Sequence, residues 1–220
     1  MNIAIDGPSG AGKSSIAKLL AKKLKYVHLD TGSMYRCVAY KACLLKIALD
    51  DEQRLCKMID DTKISFDSDG NIYLDDQEVK NNIRTNQISL AASKVSTLPA
   101  VRAKLVALQQ KMAQEGSIIM DGRDIGTVVL KDAPVKIFLT ASSLERAKRR
   151  YKQNLENGIE SDLAQLQKEI DERDYQDTHR AASPLQKASD AIEIDSSTMS
   201  IDEVVEAIFE IIQKKEHEHD

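Results

Sequence analysis

The chain alternates short apolar runs with longer stretches in which apolar residues recur at helical spacing. Residues 2–6 form an apolar run that leads into a Gly-rich turn, which predicts a strand. One helical face of residues 13–25 carries Ile16, Leu19, Leu20 and Leu24. The same patterns predict further strands at 26–29, 117–120, 135–139 and 191–194, and helices at 33–48, 51–59, 84–96, 101–114, 142–156, 162–175 and 201–213. Because strands alternate with helices, we predict an α/β fold with a central parallel sheet of about five strands covered on both faces.

Residues 63–97 show a different pattern of apolar and polar positions from the rest of the chain. Apolar residues at 64, 66 and 72–74 flank an Asp69-Gly70 turn, a pattern typical of a β-hairpin. The length of 220 residues is long for one minimal domain and short for two. We therefore predict a single domain, 1–220, that carries an inserted subdomain at 63–97. The chain is expected to end in a solvated polar tail at 214–220.

Composition narrows the class of protein. Hydrophobic residues make up 42% of the chain and charged residues 30%, which excludes a fully disordered chain. Lys and Arg number 31 against 35 Asp and Glu, and the net charge of -4 disfavours non-specific binding to nucleic acid. No apolar run approaches the roughly 18 residues of a membrane span, and the N-terminus lacks the features of a signal peptide. Cysteines without CxxC spacing indicate no disulfide framework. We expect a cytoplasmic monomer with no nucleic-acid or membrane partner.

A phosphate-binding loop follows the first predicted strand. Residues 7–14 match the pattern G-x-x-x-x-G-K-[ST] between a strand and a helix. Glycines let backbone N–H groups approach phosphate oxygens, and the N-terminus of the following helix favours an anion. Lys13 can reach the β- and γ-phosphates of a nucleotide. The predicted triphosphate-binding residues are Gly7, Pro8, Ser9, Gly10, Ala11, Gly12, Lys13, Ser14 and Ser15.

A carboxylate at the end of a later strand completes a predicted metal site. The apolar run at 117–120 leads into Asp121, a placement that suits a Mg²⁺ ligand beside a phosphate loop. The Ser14 hydroxyl can ligate the same ion, and Ser15 offers a neighbouring hydroxyl. Asp is also a common turn residue after a strand, so a purely structural role is the alternative. We predict Mg²⁺ as the cofactor, held by Ser14 and Asp121.

Arginines mark segments that are expected to border the strand ends. They are Arg36, Arg84, Arg102, Arg123, Arg146, Arg149, Arg150, Arg173 and Arg180. Five of the seven residues at 146–152 are basic, so this helix is either a solvated charged helix or is offset by bound anions. Arginine presents planar paired donors to phosphate oxygens. No Asp or His stands out as a general base, and His28 is expected to be a strand residue. These features favour a phosphate as the acceptor, which needs no base.

Four segments together resemble the bacterial cytidylate kinases, within the P-loop nucleoside monophosphate kinase family. They are residues 7–13 (GPSGAGK), 29–36 (LDTGSMYR), 121–129 (DGRDIGTVV) and 172–180 (ERDYQDTHR). The resemblance implies a P-loop three-layer fold in which 63–97 belongs to a monophosphate-binding insertion and 146–180 is a helical lid. It also implies that the γ-phosphoryl group of ATP is transferred to CMP or dCMP, giving ADP and CDP or dCDP. The transfer would be in-line, assisted by Mg²⁺ and independent of a general base.

The resemblance further implies roles for individual residues. Catalysis is expected to depend on Lys13, Arg123 and Arg180. The lid is expected to contact ATP through Arg146, Arg149 and Arg150. The expected CMP site comprises Thr31, Arg36, Ser93, Arg102, Arg123, Asp124, Arg173, Asp177 and Arg180. In that site the acceptor phosphate is clamped by Arg36, Arg123 and Arg180. The base is read by Ser93, Arg102 and Asp124, and the sugar is held by Arg173 and Asp177.

A carboxylate at Asp124 accounts for a preference for CMP over UMP if it faces the base. Cytosine presents an amine donor where uracil presents a carbonyl, and a site built for that donor rejects the analogue. Simpler roles are open. Asp124 could pair with Arg123 or another arginine as scaffolding, and Thr31 could cap the following helix. Ser93 could be a helix-surface serine and Arg102 a solvated residue.

Two other functions compete with this interpretation. Another small-molecule P-loop kinase is the nearest alternative, and it would phosphorylate an acceptor other than CMP. A switch that binds and slowly hydrolyses GTP is disfavoured, because the sequence contains no Asn-Lys-x-Asp motif for guanine.

Overall fold

Five parallel strands form the central sheet of the computed structural model, which describes residues 1–217. In chain order, the strands of this range are β1 (Ile3–Asp6), β2 (Val27–Asp30), β3 (Ile64–Phe66), β4 (Ile72–Leu74), β5 (Gln77–Glu78), β6 (Ile118–Gly122), β7 (Val135–Thr140) and β8 (Ile192–Asp195). The helices are α1 (Lys13–Leu24), α2 (Thr31–Leu44), α3 (Glu52–Asp60), α4 (Asn86–Val95), α5 (Pro99–Ala113), α6 (Ser143–Glu156), α7 (Leu163–His179) and α8 (Ile201–His217). A 3₁₀ turn spans Asn82–Arg84 and a π-helical turn spans Ile125–Val129. The strand order of the central sheet is β2-β6-β1-β7-β8, which confirms the predicted α/β class and the parallel sheet.

The central sheet separates two apolar layers, because side chains alternate across each strand. Ile3 and Ile5 of β1 pack with α1 and α8 on one face. Ala4 packs on the other face with Ile125 and with residues of α5. All four residues of β1 are buried, as expected of the middle strand of a parallel sheet. The result is the predicted arrangement of helix, sheet and helix in three layers.

The carboxyl ends of the inner strands meet along one edge of this sheet. Asp6 at the end of β1 lies opposite Gly122 of β6, and Asp30 at the end of β2 lies opposite Asp121. Parallel pairing therefore brings the phosphate loop, the start of α2 and the segment after β6 to one place. Ligands of open parallel sheets bind outside this edge.

A small antiparallel sheet of three strands, β3-β4-β5, occupies the segment predicted as a hairpin. Ile64, Ile72 and Leu74 are buried in a cluster with residues of α2, α3, α4 and α5. The hairpin itself is confirmed. The third strand, β5, is not predicted because its two residues are polar and exposed, and only pairing with β4 holds it.

Two helix boundaries differ from prediction for local reasons. α2 ends at Leu44 instead of continuing to residue 48, and Lys46 adopts a left-handed φ of 52° just beyond it. α4 begins at Asn86 rather than at residue 84. The Thr85 hydroxyl accepts a hydrogen bond from the backbone of Ile88 and caps the helix there.

The two C-terminal helices run further than predicted. α7 continues to His179 and α8 to His217, each four residues beyond the expected end. The rest of the predicted tail, 218–220, lies outside the described residues. Among the helices of residues 1–217, none has the length and apolar character needed to cross a membrane.

Candidate active site

One open cavity of about 1430 Å³ lies along the carboxyl edge of the central sheet. The predicted site residues that line it are Ser9, Gly10, Ala11, Gly12, Lys13, Ser14, Ser15, Thr31, Arg36, Ser93, Arg102, Asp121, Arg123, Asp124, Arg146, Arg149, Arg150, Arg173, Asp177 and Arg180. Gly7 and Pro8 are the two predicted residues that do not line it. Segments that are distant in the chain therefore surround one space.

The phosphate loop has the backbone that an anion site requires. Gly7 packs too closely for any side chain, because a Cβ there would lie 1.9 Å from the carbonyl oxygen of Leu139 on β7. Gly12 precedes α1 with a φ of 94° and no side chain caps that helix. The first N–H groups of α1 are therefore available to an anion, which the helix dipole also favours.

Lys13 is buried within this loop. Its Nζ donates a hydrogen bond of 2.7 Å to the carbonyl oxygen of Pro8. Burial, and after it the positive charge of Arg123, lower the pKa of Lys13 to about 7. A triphosphate would supply the negative charge that this ammonium group needs in order to remain protonated.

Ser14 and Asp121 meet beside the loop, as the sequence predicts. The Ser14 hydroxyl donates to a carboxylate oxygen of Asp121 at 2.8 Å. Within residues 1–217, Ser15 makes no such bond to Asp121. A hydroxyl and a carboxylate are hard oxygen donors, and Mg²⁺ typically takes one or two of these from a protein and the rest from phosphate and water. The donor set therefore fits the predicted ion.

His28 holds the other oxygen of the same carboxylate. Its Nε2 lies 2.6 Å from Oδ1 of Asp121, and both side chains are buried. Burial opposes the ionisation of both groups, but the hydrogen bond raises the pKa of His28 and lowers the pKa of Asp121. His28 is a strand residue, as predicted. Its contact with Asp121 has no local signal in the sequence, because 93 residues separate the two.

Arginines from several segments of the chain converge on the cavity. The members of this cluster that influence one another are Arg36, Arg84, Arg123, Arg150 and Arg173. Burial, followed by these like charges, lowers the pKa of Arg36, and burial with Arg123 lowers that of Arg173 to about 10. Such a cluster is unfavourable unless anions offset it. Arg84 belongs to it although the sequence analysis assigned it no role.

Asp177 joins the two arginines that are predicted to act in catalysis. Its carboxylate accepts a hydrogen bond of 2.8 Å from Nε of Arg123, and Nη1 of Arg180 lies 3.9 Å away. Although burial opposes it, Arg123 lowers the pKa of Asp177. Within residues 1–217, the buried Nη2 of Arg180 and Nε of Arg173 have no hydrogen-bond partner. Buried donors of this kind normally have a partner, and both residues line the cavity.

Arg102 and Asp124 form a buried ion pair that lines the cavity. The two are 4% and 6% exposed, so the interpretation of Arg102 as a solvated residue is wrong. Asp124 does pair with an arginine, but with Arg102 rather than Arg123. Arg102 also donates to the carbonyl oxygen of Ser96 at 3.1 Å, and its guanidinium lies 5.5 Å from the ring centre of Tyr35.

Two smaller residues lie at the cavity wall, and the simpler role considered for Thr31 does not hold. The side chain of Asp30 caps α2 by accepting from the backbone N–H of Ser33 at 3.1 Å, so Thr31 is not the cap. Thr31 instead donates to the backbone carbonyl of Asp121 at 2.8 Å. Ser93 is half-buried on α4 and lines the cavity instead of lying on a fully solvated face.

Two of the three predicted lid arginines brace the phosphate loop. Arg146 donates to the carbonyl oxygen of Ser9 at 3.0 Å, and Arg149 donates to that of Ala11 at 3.4 Å. Arg150 lines the cavity and makes no hydrogen bond or ion pair within residues 1–217. In this structure Arg150 is therefore the one of the three whose guanidinium is free for a ligand.

Asp6 does not line the cavity but supports a segment next to it, a role that the sequence analysis missed. Its carboxylate accepts hydrogen bonds from the backbone N–H groups of Ile125 at 2.8 Å and Gly126 at 2.7 Å. Burial raises the pKa of Asp6 to about 6 in spite of these bonds. Because they hold the start of the π-helical turn, Asp6 fixes the backbone that presents Asp124. The signal that the sequence offered for this role was a carboxylate at the end of a predicted apolar strand.

Comparisons with known proteins find similar chains over almost the whole length of this one. A family model described as Cytidylate kinase matches residues 3–214. The chain is 49% identical over 220 residues to the cytidylate kinase of Ligilactobacillus salivarius, covering 99% of this chain and 98% of that protein. It is 51% identical over 213 residues to the cytidylate kinase of Streptococcus mutans, covering 94% of each. The crystal structure of an uncharacterised protein from Eubacterium ventriosum is similar in fold, with a TM-score of 0.54 at 14% identity, covering 97% of this chain and 98% of that one.

Proposed function

The chain belongs to the cytidylate kinase family and transfers a phosphoryl group from ATP to CMP or dCMP, and we propose that it does so in the cavity at the carboxyl edge of the sheet. ATP binds at the phosphate loop, and CMP binds between α4, the segment after β6 and the end of α7. The position of Arg123 carries this proposal. Arg123 lines the cavity and donates to Asp177 at 2.8 Å. Its positive charge adds to burial in lowering the pKa of Lys13 on the donor side and of Arg36 and Arg173 on the acceptor side.

The residues of the chain act by charge and position. Lys13 and the free N–H groups of α1 hold the phosphates of the donor, and Arg36, Arg123 and Arg180 hold the phosphate of the acceptor. A phosphate oxygen of CMP is already ionised near neutral pH, so no proton has to be removed from it. His28 is hydrogen-bonded to Asp121 and is not free to act as a base. The proposed transfer therefore proceeds without a general base.

Mg²⁺ is the proposed cofactor, and Ser14 and Asp121 are the residues that would hold it. Their hydrogen bond of 2.8 Å already places hydroxyl and carboxylate side by side. When bound, Mg²⁺ would neutralise negative charge on the phosphates of ATP. The proposed assignment of Ser14 rather than Ser15 follows from this contact.

Asp124 and Arg102 are proposed to read the cytosine base as a pair. Arg102 engages one carboxylate oxygen of Asp124, and the other has no hydrogen-bond partner within residues 1–217. That oxygen can accept from the exocyclic amine of cytosine. The buried Nε of Arg102 also has no partner in this range and can donate to an acceptor on the same base edge. Ser93 and Thr31 complete the pocket, and Arg173 and Asp177 hold the sugar.

We also propose that two mobile segments cover the bound substrates. The lid at 146–180 carries Arg150 toward ATP, and the segment at 63–97 contributes Ser93 to the CMP side. The cavity between them is open in this structure, so closure would exclude water that otherwise hydrolyses ATP.

A monomer acting on free nucleotides is the proposed working form. Both proposed substrate sites are built from residues of one chain, so the proposed reaction requires no residue from a second copy. The net charge of -4 disfavours a nucleic-acid partner.

Replacing Asp124 with alanine is expected to lower kcat/KM for CMP by at least about 100-fold, with a smaller effect on the same parameter for ATP. The physical reason is the loss of the acceptor for the cytosine amine. Steady-state kinetics with CMP and UMP on the same enzyme preparation measure this directly. The ratio of the two kcat/KM values should fall toward one, a change that partial unfolding cannot produce. Equal loss for CMP and ATP with an unchanged CMP to UMP ratio would mean that Asp124 is scaffolding.

A further inference from the structure

The contact between His28 and Asp121 links the proposed metal site to a remote part of the chain. One oxygen of the Asp121 carboxylate accepts from Ser14, and the other is 2.6 Å from Nε2 of His28. With both oxygens held, the carboxylate cannot rotate about its last torsion without breaking a hydrogen bond. Without His28, one buried oxygen would lose its partner and only the Ser14 hydroxyl would restrain the carboxylate.

The hairpin turn between β3 and β4 packs against the opposite side of His28. Gly70 in this turn has a φ of 74°, and a Cβ built on it would lie 3.3 Å from the carbonyl oxygen of His28 and 3.5 Å from its Nδ1. The turn is itself well ordered by hydrogen bonds, because the Asp67 carboxylate accepts from the backbone of Asp69 at 2.9 Å and of Asn71 at 2.8 Å. The imidazole therefore lies between Asp121 and a firm turn.

We propose that His28 is a positioning residue that fixes the Asp121 carboxylate for Mg²⁺, and that the turn at Gly70 holds His28 in place. This inference rests on the metal role proposed above for Asp121. It connects the hairpin to the phosphate loop through a chain of three contacts, from Gly70 to His28, to Asp121 and to Ser14. A displaced hairpin would loosen the metal site without touching either nucleotide.

The test measures how much Mg²⁺ strengthens the binding of a non-hydrolysable ATP analogue, adenylyl imidodiphosphate. Calorimetry gives its Kd with Mg²⁺ and with EDTA, and the ratio of the two isolates the contribution of the metal. His28→Leu replaces the imidazole with an apolar side chain of similar size and so removes the N–H donor. We expect it to reduce this ratio roughly tenfold while leaving the Kd in EDTA unchanged. His28→Gln places an amide N–H near the position of Nε2 and should restore most of the ratio.

Asp121→Asn distinguishes the metal role of Asp121 from the positioning role of His28. If it lowers the Mg²⁺ ratio and His28→Leu added to it causes no further loss, His28 acts through Asp121. If Asp121→Asn lowers the ratio but His28→Leu alone does not, the positioning role is wrong and the metal role stands. If Asp121→Asn leaves the ratio unchanged, the metal role and the inference both fail. Equal weakening with Mg²⁺ and with EDTA by His28→Leu would also overturn the inference.

Gly70→Ala tests the role of the turn. Its Cβ would press on His28 from a strained backbone, so we expect a smaller loss of the same Mg²⁺ ratio. Ser68→Ala, an exposed change in the same turn, is the matched control and should have no effect. A Gly70→Ala protein with the wild-type ratio would remove the hairpin from the proposal.

Discussion

The Lys13→Met enzyme is expected to turn over at least about 100-fold more slowly than the wild type. Lys13 lies buried in the phosphate loop, where its ammonium group is the charge available to the β- and γ-phosphates. Methionine has a similar length and no charge, so it removes the interaction while filling the same space. Because burial already disfavours the charged form and lowers the pKa to about 7, the substitution should not reduce stability. Steady-state release of ADP at saturating CMP measures the effect.

Lys22→Met provides the matched control for this variant. Lys22 is exposed on the same helix, α1, and should be replaceable without loss of turnover. The melting temperature of both variants should equal or exceed that of the wild type. A Lys13→Met enzyme with kcat within a few-fold of the wild type would contradict the role assigned to this lysine.

Arg123→Ala is expected to lower kcat by at least about 100-fold as well, for a different reason. Arg123 lines the cavity, and its charge adds to burial in lowering the pKa of the loop lysine and of Arg173, so we propose that it faces the phosphoryl group in transfer. Its removal also frees Asp177, whose carboxylate it holds at 2.8 Å, and leaves a buried negative charge beside the acceptor phosphate. Both effects oppose the same step. Single-turnover kinetics that start from a preformed complex of enzyme and ATP measure the transfer step itself. They therefore separate slower transfer from slower product release.

Arg123→Lys distinguishes charge from geometry. Lysine retains the charge but not the planar pair of donors, so we expect only partial recovery. Arg54→Ala, on the exposed part of α3, is the control for loss of an arginine in general and should be active. Near-wild-type turnover by Arg123→Ala would show that another group stabilises the transferring phosphate.

The sequence predicts those parts of the fold that depend on residues close together in the chain. The phosphate loop is predictable because its glycines, Lys13 and Ser14 lie within eight residues and sit between an apolar run and a helical pattern. The five parallel strands are predictable because each is a short apolar run next to a helix. The hairpin follows from its Asp69-Gly70 turn. Thr31 lines the cavity, and the alternative that it caps α2 is wrong because Asp30 is the better-placed acceptor.

Contacts across the sheet account for what the sequence analysis missed. The π-helical turn depends on the carboxylate of Asp6, which is 119 residues away from its first partner. The contact of His28 with Asp121 arises because β2 pairs with β6 in a register that sets His28 opposite Ile119, and Asp121 lies two residues further along β6 on the same face. Arg146, which is predicted to contact ATP, also donates to the backbone of the phosphate loop, and helical spacing alone cannot show this second partner of its guanidinium. In each case the missing information is tertiary.

The assay of ADP release from Mg·ATP with a panel of acceptors tests the central claim most directly. The panel comprises CMP, dCMP, UMP, AMP, GMP, cytidine and no acceptor. We expect turnover with CMP and dCMP at least about 100-fold faster than with the other acceptors, and none above background with cytidine, because the arginine cluster requires an acceptor phosphate and Asp124 requires a cytosine amine. Comparable turnover with UMP would contradict the base assignment. Turnover with cytidine would contradict phosphoryl transfer to an ionised phosphate without a base.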